Sequence, residues 1–178
     1  RDGMLLLNGK RLILDGINRH EWNMERGQSI TEEDIEFDVK FLKEHNVNAI
    51  RTSHYPNNTS FYQWCDELGL YLMDEACMES HGSFSWAGGY RYSDSFPADD
   101  ERWTNLCISK LMRMYERDKN HPSILMWSLG NESGTGRVFF QMRERLLKRN
   151  PDVLIHYEQG YGNEEYMKVS EVYSSMYT

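Results

Sequence analysis

Short apolar runs alternate with longer amphipathic segments along this chain, and the two kinds of segment carry different periods. The runs at residues 11–17, 47–50, 70–73, 124–129 and 153–157, with a weaker one at 171–176, predict six strands. Helical patterns lie between them. Thr31 precedes Glu32, Glu33 and Asp34, which sets a side-chain cap and three acids at the positive end of a helix dipole. Ile35, Val39 and Leu42 follow on one stripe, and this helix is predicted to run to about Asn46. A shorter helix fits residues 60–68 and is ended by Gly69. Ile108, Leu111, Met112 and Tyr115 fall at i, i+3, i+4 and i+7, the spacing of a third helix. Phe139, Met142 and Leu146 mark a fourth, which stops at Asn150-Pro151.

Strands and helices in this order imply parallel strands joined by crossover helices. The period leaves two architectures open, a doubly wound sheet and a (β/α) barrel. No internal repeat, low-complexity tract or Pro/Gly linker divides the 178 residues, a length that suits one domain. The longest unpatterned stretch, residues 77–100, is rich in Gly, Ser, Trp and Tyr. It exceeds an ordinary βα turn, and long loops of this kind tend to carry function.

Polar groups collect after one run after another. Asn18, Arg19, His20 and Glu21 follow the first, and Arg51, Ser53 and His54 the second. Asp74, Glu75, Glu79 and His81 follow the third, Asn131 and Glu132 the fourth, and His156, Tyr157 and Glu158 the fifth. In a parallel α/β fold these strand ends meet on one face, where sites are built. A single such residue is as readily an ordinary loop polar; five strands repeating the pattern make that reading fail for the set.

Composition narrows the chemistry. With 28 acidic and 20 basic residues the net charge is −8, and no basic tract offers a grip on nucleic acid. No stretch approaches the ~18 consecutive apolar residues of a membrane span. Cys65, Cys77 and Cys107 form no CxxC, so neither a disulfide framework nor a zinc cage is expected, and a cytoplasmic setting is. The chain starts at Arg1 with no signal-like segment behind it, and is expected to be cut from something larger. The glycine signatures of nucleotide folds and the Gly-x-Ser-x-Gly elbow of serine hydrolases are absent. Carboxylates, histidines and aromatics suit a carbohydrate site, and glycoside hydrolysis requires two carboxyl groups across the scissile bond. Glu132 is the best single candidate, because it follows an apolar strand and a Gly turn and sits beside an amide.

Several motifs in order then carry a resemblance. Asn18-Arg19-His20-Glu21, Arg51-Thr52-Ser53-His54-Tyr55-Pro56, Asp74-Glu75-Ala76 and Glu79-Ser80-His81-Gly82 are followed by Asn120-His121-Pro122-Ser123 and by Trp127-Ser128-Leu129-Gly130-Asn131-Glu132-Ser133-Gly134. Together they resemble the catalytic domain of family 2 glycoside hydrolases, most closely the bacterial lactose-cleaving β-galactosidases, over about residues 7–177. The resemblance implies an α/β fold of the (β/α)₈ TIM-barrel type. Here it would be partial: residues 1–178 hold strands one to six of eight, without strands seven and eight and without the family's flanking sandwich domains.

The same resemblance assigns roles. Glu132 becomes the general acid/base of a retaining β-galactosidase acting on terminal non-reducing β-D-galactosides such as lactose, and Asn131 the partner of the sugar 2-hydroxyl. His20 and His54 become sugar contacts, and Tyr177 the tyrosine that hydrogen-bonds the nucleophile. Glu79 and His81, two apart and so on the same side of an extended segment, would bind Mg²⁺ with Glu132. From the residues alone that is a weak metal site, because His is an unusual ligand for so oxygen-seeking an ion. Arg19 and Arg51 read as inner-barrel ion-pair residues, and Trp127 as either core or site. The nucleophile, a Glu closing strand seven, is expected beyond residue 178; Glu158, Glu164 and Glu165 are not candidates for it. The segment alone is therefore expected to be inactive, and the whole protein to be multidomain or a homo-oligomer. Two rivals stay open: another family 2 activity such as β-glucuronidase, and a non-catalytic sugar-binding barrel.

Overall fold

The computed structural model describes residues 3–81, 97, 100–158 and 164–174. Capping side chains start the first two helices. Before α1 (Glu32–Glu44), the Thr31 hydroxyl accepts from the Asp34 amide while the Asp34 carboxylate accepts from the Thr31 amide. This reciprocal box satisfies two donors that the first turn and its cap leave open. Asn58 caps α2 (Thr59–Leu68), which ends at Gly69 in the left-handed region at φ +68°, where a side chain would be strained. A 3₁₀ turn, Glu101–Trp103, leads into α3 (Thr104–Asp118). Two further helices follow, α4 (Arg137–Arg149) and the short α5 (Glu164–Met167). Glu164 and Glu165, expected in a loop, lie exposed on α5.

Five parallel strands form one sheet in chain order: β3 (Gly16–Arg19), β4 (Ala49–Thr52), β5 (Tyr71–Glu75), β6 (Ile124–Ser128) and β7 (Leu154–His156). Two of the six expected strands differ. The first run, 11–17, is split between two structures: Arg11 closes an antiparallel hairpin, β1 (Leu6–Leu7) with β2 (Lys10–Arg11), and the sheet strand starts only at Gly16. Asn8 and Gly9, both at positive φ, make the hairpin's turn, a residue pair suited to that backbone. The sixth run forms no strand over 171–174, and positions 175 and 176 lie outside the described residues. The Glu171 carboxylate takes the Ile155 N–H that a sixth strand's carbonyl would accept, while the Glu171 amide donates to the Ile155 carbonyl.

Register sorts side chains onto two faces, since alternate residues of a strand point opposite ways. Asn18, Arg51, Met73 and Met126 align across the sheet on the inner face, as do Glu75, Ser128 and His156 nearer the C-terminal edge. The outer face packs on helices in two clusters. Ile50, Leu70 and Leu72 meet Ile35 and Val39 of α1 and Phe61 of α2. Trp127 and Ile155 meet Leu111 and Met114 of α3 and Phe139, Met142 and Leu146 of α4. Each such burial contributes about 1.5–3 kcal/mol. Trp127 is thus core, its ring edge-on to Tyr115 at 4.8 Å. Among the described residues no helix is long and apolar enough to cross a membrane.

Candidate active site

The loops after β5 and β6 are drawn together by a glycine. Gly130 has φ +143°, and a Cβ there would lie 2.5 Å from the Met78 Cβ and 2.7 Å from its carbonyl oxygen. With no side chain in the way, the Asn131 amide reaches that carbonyl at 2.7 Å. Glu132, at φ +21°, follows directly. This contact sets Glu79 and His81 of one loop against Asn131 and Glu132 of the other. His81 Nδ1 lies 2.8 Å from Glu132 Oε2. The Asn131 Nδ2 donates to Glu79 Oε2 and, at 3.3 Å, to Glu132 Oε2.

Glu79, His81 and Glu132 each offer one ligand atom, and these atoms lie within 4.8 Å of one another. Two carboxylates give a hard cation the oxygen donors it prefers. The donor set therefore fits Mg²⁺, with the imidazole as its unusual member.

Below this cluster, Arg51 reaches residues of all the other sheet segments. Its Nε donates to Glu75 Oε2 at 2.7 Å, Nη1 to Asn18 Oδ1 at 3.2 Å, and Nη2 to Asn131 Oδ1 at 2.8 Å and Glu158 Oε2 at 3.2 Å. Glu75 is fully buried and also accepts from His54 Nδ1 and Ser128 Oγ, each at 2.7 Å. Burial pushes its carboxyl up, but the bonds from His54, Arg51 and Ser128 outweigh burial and hold it below the usual range. The Ser128 hydrogen being spent on Glu75, His156 Nδ1 donates to Ser128 Oγ at 3.1 Å. Burial, with Arg51 nearby, lowers His156 to about 4 and keeps it neutral. Burial raises Glu158, against the pull of Arg51 and with help from Glu132 and Glu75. The His20 ring stands edge-on to His54 at 5.4 Å, and burial and the His54 and Arg51 charges lower its pKa.

The structure thus gathers Glu79, His81, Asn131 and Glu132 in one hydrogen-bonded cluster and sets the His20 and His54 rings edge to face. Tyr177 lies outside the described residues, as does most of the long loop, residues 82–96, 98 and 99. Arg51 forms inner-face ion pairs as expected, but Arg19 does not. It is one residue further along its strand than Asn18, so it points outward, pairing with Asp38 of α1 and lying over the Phe61 ring at 4.6 Å. Asp74 turns outward for the same reason and accepts from the Tyr62 hydroxyl at 2.7 Å. Sequence reasoning gave no site role to Glu75, Ser128, His156 or Glu158. The available signal was parity, because Glu75, Ser128 and His156 share the face that carries Arg51.

A parallel α/β sheet with carboxylates and imidazoles gathered at the C-terminal ends of its strands is the architecture of a TIM-barrel enzyme's active-site face. All 178 residues match the family described as "Glycosyl hydrolases family 2, TIM barrel domain", and the chain belongs to that family. It is 46% identical over 178 residues to a β-galactosidase of Lactobacillus delbrueckii subsp. bulgaricus, covering 99% of this chain and 18% of that protein. It is 48% identical over 158 residues to a β-galactosidase of Clostridium acetobutylicum, covering 89% of this chain and 18% of that protein. A "β-galactosidase large subunit" of Latilactobacillus sakei is 43% identical over 178 residues, 99% of this chain and 28% of that one. Among solved structures, apo β-glucuronidase 3 of Bacteroides uniformis superposes with a TM-score of 0.78 at 26% identity, over 97% of this chain and 22% of that one. The chain spans about a fifth of the length of the first two relatives. The fold is therefore a TIM-barrel segment rather than a doubly wound sheet.

Proposed function

We propose that this chain supplies the acid/base side of a retaining β-galactosidase active on terminal non-reducing β-D-galactosides such as lactose. The observation that carries the reading is the convergence of Glu79, His81 and Glu132 beside the Asn131 amide. In this reading Glu132 donates a proton to the leaving oxygen and then takes one from water. Asn131 Nδ2 meets the 2-hydroxyl, a contact that strengthens in the transition state. Glu75 occupies Nδ1 of His54 and leaves Nε2 for the sugar, with His20 beside it. Tyr177 would orient the nucleophile, a glutamate supplied from outside residues 1–178. Mg²⁺ held by Glu79, His81 and Glu132 would orient Glu132 and tune its acidity.

The names of the relatives at 46% and 48% identity support galactosidase over the β-glucuronidase reading, which has the 26% identical structure in its favour. An intact acid, amide and metal set speaks against a sugar-binding module without catalysis. We place the enzyme in the cytoplasm, as one domain of a larger or oligomeric protein; the subunit named in the Latilactobacillus sakei relative supports an assembly of that kind.

The test compares aryl β-galactoside, aryl β-glucuronide and lactose hydrolysis by the complete enzyme and by its Glu132→Gln variant. The variant is expected to lose about 10²–10⁴-fold on lactose, and less on aryl substrates whose leaving groups need little protonation. Preference for the glucuronide would favour the second activity. Parental turnover of lactose by the variant would remove Glu132 from the acid/base role.

A further inference from the structure

We infer that Arg51 is a positioning residue that fixes which way round the Asn131 amide faces, and so decides how the enzyme senses the 2-hydroxyl of its sugar. The inference rests on the galactosidase reading above and adds to it the source of that selectivity. An Asn side chain can rotate by half a turn and exchange its acceptor and donor ends with almost no change of shape. Asn131 is 3% exposed, so its neighbours rather than water set the choice. On one side stands a guanidinium, which can only donate, with Nη2 at 2.8 Å from Oδ1. On the other side stand the acceptor carboxylates of Glu79 and Glu132, both bonded to Nδ2. The reversed amide would oppose donor to donor and acceptor to acceptor.

Arg51 can impose this because its own plane is pinned. Glu75 holds Nε, Asn18 holds Nη1 and Glu158 shares Nη2. Glu75 is in turn held by His54 and Ser128. Lysine at this position would be a single flexible ammonium that cannot bridge these partners together. With Oδ1 turned to Arg51, the Nδ2 donor is the end of the amide beside Glu132, and a sugar hydroxyl placed there meets Nδ2 by replacing the long 3.3 Å bond to Glu132.

The experiment measures kcat/KM on an aryl β-galactoside and on its 2-deoxy counterpart for the complete enzyme, Arg51→Lys, Asn131→Ala and the double variant. Arg51→Lys is expected to lose about a hundredfold on the galactoside, the scale of a misplaced reacting group, and far less on the 2-deoxy substrate. Its ratio of the two should collapse toward that of Asn131→Ala, and the double variant should collapse it no further. A merely structural role would lower both substrates together and leave the ratio alone. Because the readout is a ratio within one preparation, it does not depend on how much of the variant folds; Arg51→Gln serves where Arg51→Lys yields no turnover. An unchanged ratio in the Arg51 variants, with the ratio lost in Asn131→Ala, overturns the inference and leaves the galactosidase reading intact. A parental enzyme inactive on the galactoside overturns that reading itself, and the inference with it.

Discussion

Replacing Gly130 with alanine tests whether the approach of two loops builds this site. The backbone there, at φ +143°, is a conformation side chains rarely adopt, and holding a non-glycine residue in such a region costs ~1–3 kcal/mol. The new Cβ would also sit 2.5 Å from the Met78 Cβ, about 1 Å or more inside the ~3.5–4.0 Å at which carbons make contact. Its second neighbour, the Met78 carbonyl oxygen at 2.7 Å, is backbone and is already bonded to the Asn131 amide, so it cannot swing aside. Overpacking of this kind costs ~1–3 kcal/mol more. The sum, roughly 2–6 kcal/mol, is a large part of the ~5–15 kcal/mol by which domains are stable. Urea unfolding should show it as a midpoint lowered by roughly 1–3 M, taking a slope of about 2 kcal/mol per molar. Any molecules that stay folded must part the two loops, separating Glu132 from Glu79 and His81, so turnover should fall more steeply than stability. A Gly130→Ala enzyme with the parental midpoint and parental turnover would refute the argument, for the turn would then tolerate a side chain where the structure leaves no room.

Two further outcomes follow from the same geometry. Glu79→Gln and His81→Ala are each expected to weaken Mg²⁺ binding and make activity depend on added metal, as read by calorimetry and by assays with and without chelator; if both keep parental activity in chelator, the metal assignment is wrong. His156 is lowered from 6.5 to about 4 by burial, so between those values the unfolded chain takes up a proton that the folded one refuses. Stability is unaffected above pH 6.5, falls as pH drops from about 6.5 to 4, and is flat below for this group; the loss amounts to about 3 kcal/mol at most. Unfolding measured across that range should flatten in His156→Gln, and an unchanged acid limb would mean that His156 does not titrate as its burial dictates.

The order of the five sheet strands and of α1 to α4, with several of the helix ends, was legible in the sequence because the causes are local. Thr31 with Asp34, and Gly69, act within a few residues of themselves, and the stripes of α1, α3 and α4 need only a period. The motifs also marked residues that the fold brings together, since Glu79, His81, Asn131 and Glu132 each close a strand or its loop. Three things depended on neighbours far along the chain. The facing of Arg19 against Arg51 turns on the register of β3 and β4, and one residue of offset sends a side chain to the opposite layer. The sixth run lacks a strand over its described residues because the Glu171 side chain, 16 residues from Ile155, occupies a ladder position. The third is the network of Arg51 with Asn18, Glu75, Asn131 and Glu158, which spans 33, 24, 80 and 107 positions of sequence. Sequence by itself determined the strand and helix alphabet and the inventory of reactive groups. Which groups share a face, and which donor meets which acceptor, was decided by sheet register and by the contact at Gly130, because hydrogen bonds act over about 3 Å of space whatever the distance along the chain.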